Sequence, residues 1–182
     1  MSGCWSPRFA RWATEAAELE ECSGAPSLRL ALRSCPLLQS VYAEGAMQDV
    51  LSSFFQHAAI TDGITVRVAV NFMPDQSRIE AGRWFWVYHI RLENGREDQV
   101  QLRTRHWRIT DSRGMVNLVD GEGVVGETPV LEPGGTHDYV SGCELTTRQG
   151  SMEGHYTFAR ADGTLFEVAI PYFPLAAPAT TI

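Results

Sequence analysis

The sequence predicts an all-β fold, an antiparallel sandwich of about seven short strands. Three observations lead there. From Thr61 onward apolar residues recur with a period of two, as a strand half buried against a core requires. Turn-forming residues punctuate that pattern about every 8–12 residues. No segment with helical periodicity separates the strands, which argues against a parallel sheet with crossover helices.

In residues 64–72 the even positions Ile64, Val66, Val68, Val70 and Phe72 are apolar, while Thr65, Arg67 and Asn71 take odd ones. The pattern returns at Trp84, Trp86, Tyr88, Ile90 and Leu92, with His89, Arg91 and Glu93 on the other face, and Asn94-Gly95 marks a turn. Val100 and Leu102 open the next strand in even phase, yet Trp107 and Ile109 continue it in odd phase. An extra residue in one strand of a pair reverses the faces, so a β-bulge or sharp twist is expected between Arg103 and His106. After a turn at Ser112-Arg113-Gly114, residues 115–119 form a short strand and residues 121–133 read mostly as loop. Strands follow at residues 136–141, anchored by Tyr139 and Val140, and at residues 152–159. An Asp162-Gly163 turn leads to a last strand with Phe166, Val168 and Ile170 inward, closed by Pro171 and Pro174.

The N-terminal quarter reads differently. Residues 10–21 can form a helix with Trp12, Ala16 and Leu19 on one face, but from Ser23 to residue 46 no period is sustained. A regulatory or targeting extension is one reading; the better ones are a poorly ordered extension, or a start codon placed too far upstream, with Met47 the true first residue. Five acids in the segment argue against a transit peptide. Val50, Leu51, Phe54 and Phe55 lie at helical spacing, so residues 47–58 are expected to form a short helix packed on the domain. The organisation is thus an extension (1–46), a lead-in (47–60), the sandwich (61–175) and a tail (176–182).

With 182 residues the chain is about one domain. A net charge of −7 argues against nucleic acid or an anionic membrane as partner. All fifteen basic residues are arginine, which we attribute to GC-rich coding. Neither a secretory signal nor an apolar run of about 18 residues occurs, and Cys4, Cys22, Cys35 and Cys143 are too scattered for a zinc site or a disulfide framework. The expectation is a cytoplasmic protein with free thiols.

Chemistry concentrates in residues 103–126. Gly121-x-Gly123-x-x-Gly126 has the form of a dinucleotide loop, but that use needs a helix N-terminus on the pyrophosphate. The following Glu-Thr-Pro-Val-Leu-Glu-Pro-Gly cannot begin one. No Gly-Lys-Ser/Thr follows, and from Asp120 to Glu144 six acids occur without a base. A structural loop with glycines at positive φ is the better reading. Arg103, Arg105 and Arg108 form the one local cationic feature, able to bind a phosphate or acidic partner, or to pair with Glu93, Glu97 and Asp98 on the adjoining strand. His106 has no second metal ligand at useful spacing, although His155 and the His137-Asp138 pair could converge with it in space. Trp107 beside it completes the candidate surface. No nucleophile context surrounds Ser141 or Cys143, so neither an enzyme, a cofactor nor a metal is expected.

The motifs Arg105-His106-Trp107, Ile109-Thr110-Asp111, Gly121-Glu122-Gly123-Val124-Val125-Gly126-Glu127, Pro129-Val130-Leu131, Pro133-Gly134, Tyr139-Val140-Ser141-Gly142, Gly150, Met152, Gly154-His155-Tyr156 and Phe166-Glu167-Val168-Ala169-Ile170-Pro171 with Phe173 resemble, in order and register, those of the ApaG family. The resemblance spans about residues 60–175. It implies a fibronectin type III or immunoglobulin-like β-sandwich, and a start close to Met47. It also implies an association with cobalt and magnesium resistance or efflux, a genomic neighbourhood shared with a diadenosine tetraphosphate hydrolase, and protein recognition in eukaryotic relatives. The expected function is therefore a non-catalytic module for protein–protein interaction with an unidentified partner. The alternative is a small-ligand binder for pyrophosphate, nucleotide or a divalent cation, with Arg103, Arg105, His106, Trp107, Arg108, Gly121, Gly123 and Gly126 as candidate contacts in either case.

Overall fold

A computed structural model describes residues 53–179. Nine strands are present among them: β1 (His57–Thr61), β2 (Ile64–Phe72), β3 (Trp84–Asn94), β4 (Val100–Asp111), β5 (Val116–Glu122), β6 (Val130–Leu131), β7 (Thr136–Leu145), β8 (Gln149–Arg160) and β9 (Leu165–Ala176). They form two antiparallel sheets, one ordered β1-β2-β3-β7 and the other β5-β4-β8-β9, with β6 also paired to β4. The expected sandwich is therefore found. Its core draws on both sheets: Ile64, Val66, Val68, Trp86, Tyr88, Ile90 and Leu92 from the first, and Leu102, Trp107, Met152, Tyr156, Phe158, Val168 and Phe173 from the second. Each such side chain taken from water contributes about 1.5–3 kcal/mol.

Two expectations need correction and two are refined. Residues 47–52 of the expected helix, like the readings for residues 1–46, lie outside the described residues; among the described residues Ser53 and Phe54 are helical, and the helix does not reach Ala58 because β1 already begins at His57. There Ala58 and Ile60 face outward while the backbone pairs with β2, so ladder bonds override helical spacing. At Asn94-Gly95 the chain turns as expected, with the Arg96 N–H on Asn94 Oδ1, but it crosses between sheets rather than joining paired neighbours. β3 and β4 belong to opposite sheets, and the buried Asn94 amide holds the crossover by donating to the carbonyls of Asp98, Leu131 and Glu132 at 2.9, 3.0 and 3.2 Å. Residues 121–133 are mostly loop as expected, but β5 reaches Glu122 and the two-residue β6 pairs with Val100 and Gln101. Finally, Pro171 does not end the last strand. β9 is an outer strand, and a register shift opposite Met152 and Gly154 absorbs Pro171-Tyr172, turning the inward phase from Val168 and Ile170 to Phe173 and Leu175.

The two lateral sides of the sandwich differ. On one, β1 and β9 meet: the Ala169 N–H donates to Thr61 Oγ1 at 3.2 Å, and His57 packs on Phe173 with centroids 6.1 Å apart. On the other, β5 and β6 pair along β4 in one direction, so they form a single edge strand interrupted by the excursion of residues 123–129. That interruption faces a β-bulge in β4 between Leu102 and Thr104. Among the described residues β5 has no neighbour except β4.

Candidate functional site

The bulge lies at the start of the expected interval, and it sorts the candidate residues onto opposite faces. Leu102 points into the core before it; after it Arg105 and Trp107 face the interior side, while His106 and Arg108 face outward. Trp107 is core, 3% exposed and packed edge-on to Phe173 and Tyr156.

Arg105 turns inward beneath the glycine loop. Its guanidinium donates from one nitrogen to the carbonyls of Glu122 and Gly123, at 2.9 and 2.6 Å. Behind it stand three buried tyrosines, with the Tyr139 and Tyr156 hydroxyls hydrogen-bonded to one another. Burial pushes the Tyr88 hydroxyl up to about 12, against a hydrogen bond with Ser141 and the nearby charge of Arg105. Burial drives Tyr139 and Tyr156 upward as well, so all three remain neutral hydrogen-bonding groups.

Each glycine of the loop has a local reason. A Cβ at Gly121 would lie 2.8 Å from the Arg105 guanidinium carbon, and one at Gly123 would lie 2.0 Å from the Glu127 carbonyl oxygen. Gly123 (φ 56°) opens the excursion and donates its N–H to the Arg103 carbonyl at 2.9 Å. Val124 and Glu127 then exchange hydrogen bonds of 2.8 and 2.9 Å across Val125 and Gly126, whose φ values of 48° and 84° make a type I′ turn. The strand continues directly into this turn and no helix follows, so the dinucleotide geometry is absent. The loop directs two carbonyls at an arginine, which is the reverse of an anion cradle.

The arginines do not gather around the loop. Arg103 uses its side chain on Gln101 at 2.9 Å, and Arg108 pairs with Glu153 at 2.6 Å. The expected pairing with Glu93 and Asp98 is not found, because Glu93 binds Arg67 at 2.9 Å and Asp98 binds Arg96 at 2.7 Å. Glu93 belongs to β3 in the other sheet, which is why chain proximity misled.

On the outer face of the β5-β4-β8-β9 sheet the register places His106 between Asp120 and His155. His106 Nδ1 lies 2.5 Å from Asp120 Oδ1, the two imidazoles stack at 4.9 Å with 21° between planes, and His155 Nε2 is 3.7 Å from Glu167 Oε1. The backbones approach closely here, since a Cβ at Gly154 would fall 2.0 Å from the His106 carbonyl oxygen. His106, Arg108, Glu153, Gly154, His155 and Ile170 line a shallow, open depression of about 300 Å³. His155 thus converges with His106, whereas His137 sits apart, 4.0 Å from Glu127. Among the described residues no hydroxyl or thiol bonds either stacked imidazole, and no group of three or more His, Cys, Asp or Glu is placed to hold a metal. An Asp–His pair can bind or position, and with no hydroxyl or thiol beside it among the described residues it offers no route through a covalent acyl-enzyme.

The sequence reading overlooked Asp120, Glu153 and Glu167, and the exposed apolar residues beside them. Met115, Val116 and Leu118 are 69%, 44% and 57% exposed at the free edge. The signal was present: Asn117, Val119 and Gly121 alternate with Val116, Leu118 and Asp120, and the arginine-facing glycine fixes which set points inward. No helix among the described residues is long and apolar enough to cross a membrane.

A family model described as the ApaG domain matches residues 74–160. Over 122 residues the chain is 49% identical to Protein ApaG of Methylobacterium sp. (strain 4-46), covering 67% of this chain and 94% of that protein. Over the same length it is 48% identical to Protein ApaG of Bradyrhizobium sp. (strain BTAi1), covering 67% and 93%. A crystal structure of an ApaA protein from Bordetella pertussis superposes with a TM-score of 0.62 at 41% identity, covering 64% of this chain and 95% of that one.

Proposed function

The chain belongs to the ApaG family, and on that premise we propose that it is a non-catalytic protein-recognition module whose docking surface is the outer face and free edge of the β5-β4-β8-β9 sheet. The observation that carries this reading is the exposure of Val116 and Leu118 together on one face of the open strand β5, with Met115 exposed just before it, beside a polar face of Arg108, Glu153, His106 and His155. Contiguous apolar side chains rimmed by polar ones mark protein contact surfaces. The ionisable groups next to them are tied to neighbours, as catalysis by any one of them would not require. Arg105, the cation nearest the glycine loop, is held by backbone carbonyls, which favours this reading over pyrophosphate or nucleotide binding. A link to cobalt and magnesium resistance or efflux would run through the docked partner.

Two measurements test the reading. A photo-crosslinking side chain at position 118 should capture the same partner reproducibly in cells, and one at Arg67 on the opposite sheet should not. Calorimetric titration with pyrophosphate, ATP, Co²⁺ and Mg²⁺ at millimolar concentration should give no heat of binding. Absence of any position-dependent adduct, or saturable binding of one of these ligands, would overturn it.

A further inference from the structure

We propose that β5 accepts an extended partner segment as an additional antiparallel strand, and that it selects segments carrying cations at one end and apolar side chains at the other. The inference rests on the recognition reading above and specifies its chemistry.

Backbone hydrogen bonding supplies the first part. The Asp111 N–H donates to the Met115 carbonyl, and the Gly123 N–H donates to the Arg103 carbonyl. Antiparallel ladders alternate, so the odd residues of β5 direct their N–H and C=O groups at β4, and the even residues direct theirs outward. Val116, Leu118 and Asp120 therefore present outward donors and acceptors, and Glu122 an outward N–H (its carbonyl is taken by Arg105), along an edge with no neighbouring strand among the described residues. Such an edge is a template for strand addition, in which main-chain bonds give affinity and alternate side chains give specificity.

Those same four side chains stand on the outer face, opposite Thr110, Arg108, His106 and Thr104 of β4. In order they read apolar, apolar, acidic, acidic. The Asp120 side chain is 73% exposed, and no described residue bonds the Glu122 carboxylate. An antiparallel strand lying on β5 would meet Glu122 first and Val116 last. Its complementary sequence is cation, any, cation, any, apolar, any, apolar, read from its N-terminus. Cross-strand pairs of opposite charge and of apolar side chains each favour that register, and like charges oppose the others. A second copy of this chain pairing over the whole of β5 would set Val116 against Glu122 and Leu118 against Asp120, so self-association is not the match. At the far end the excursion at Gly123 limits the docked segment to the length of β5.

The test uses the full chain and a synthetic capped heptapeptide of Arg-Thr-Arg-Thr-Val-Thr-Val. The expected result is weak, saturable binding, with amide protection gained at Val116, Leu118, Asp120 and Glu122 in NMR hydrogen exchange. Glu122→Arg should weaken it about five- to tenfold, and a peptide with glutamate in place of the first arginine only, the one facing position 122, should restore binding to that variant. Leu118→Pro, which removes an outward N–H without touching the β4 ladder, should abolish binding in a variant whose remaining spectrum is unchanged. Absence of peptide binding at millimolar concentration overturns the proposal, as does binding whose protection maps elsewhere. Concentration-dependent dimerisation with protection confined to β5 overturns it in favour of a second copy. If crosslinked partners are captured on other strands, recognition survives and only the edge mechanism fails.

Discussion

Gly123 and Gly126 belong to one sequence motif, yet the structure gives them unequal roles, and alanine at each measures the difference. Both have positive φ, 56° and 84°, so an added side chain incurs about 1–2 kcal/mol of left-handed strain. At Gly126 nothing lies within 4 Å of the new Cβ. Reduced freedom of the unfolded chain returns about 0.4–1 kcal/mol, leaving a net loss of about 0.5–1.5 kcal/mol. At Gly123 the new Cβ falls 2.0 Å from the Glu127 carbonyl oxygen, where an ordinary contact needs about 3.3 Å. The excursion must open, which sacrifices the two hydrogen bonds between Val124 and Glu127 at about 0.5–1.5 kcal/mol each. With the same unfolded-chain return, the sum for Gly123→Ala is about 1.5–4.5 kcal/mol. Equilibrium urea unfolding followed by tryptophan fluorescence reads both values on matched proteins. An equal loss at the two positions, or a larger one at Gly126, would refute the structural account of the motif.

Four further outcomes are expected. Val125→Asn should stabilise the protein by about 1 kcal/mol, since Asn-Gly suits a type I′ turn and relieves a β-branched residue at φ 48°; an unchanged urea midpoint counts against it. Arg105→Met should lower the melting temperature by several degrees and speed amide exchange in residues 122–128, because the Glu122 and Gly123 carbonyls lose a charged donor; a loss of ligand binding with stability intact would instead make Arg105 a ligand residue. At low pH, Asp138 is the group to watch. Burial raises its carboxyl, but the hydrogen bonds from His89 and Arg91 outweigh that and hold it below the ordinary value. Its contribution should be whole above the unfolded pKa of about 3.9 and vanish as pH falls through the lower folded value, with Asp138→Asn flattening that limb of the stability–pH curve. At high pH, Tyr88 acts in the opposite direction: its folded value of about 12 exceeds the ordinary tyrosine value of about 10. Its stabilising contribution is complete below pH 10 and is lost as pH climbs towards 12, which tyrosinate absorbance during alkaline titration would detect.

Legibility in the sequence followed physical cause. Ile64, Val66 and Val68, and Trp86, Tyr88, Ile90 and Leu92, announced their strands because burial on one face forces a period of two. The phase change between Leu102 and Trp107 located the bulge for the same reason. β1 gave no such signal, since its Ile60 is 74% exposed and its pairing depends on backbone bonds to β2. β6 is two residues long, too short for any period, and is visible only as the resumption of β5 beyond the excursion. For the site, residue types near Arg105 and His106 were apparent, but their fates were not. Whether an arginine reaches a phosphate or a carbonyl, and whether His155 lies beside His106, depends on which strands become neighbours across the sheet. The adjacency of β4 and β8 joins segments that are remote in sequence, and nothing local encodes it.

The meeting of β1 with β9 has a kinetic consequence. The Thr61 and Ala169 contact spans 108 residues, and closing a loop of that length costs about 4 kcal/mol in chain entropy before the contact returns anything. Folding dominated by such non-local pairings is slow, in the range of about milliseconds to seconds. During synthesis the first strands emerge from the ribosome long before the last, so β1 and β2 wait with their inner faces uncovered until residues 165–176 arrive. The side of the sandwich that is sealed in the finished protein is thus the one exposed longest while it is being made.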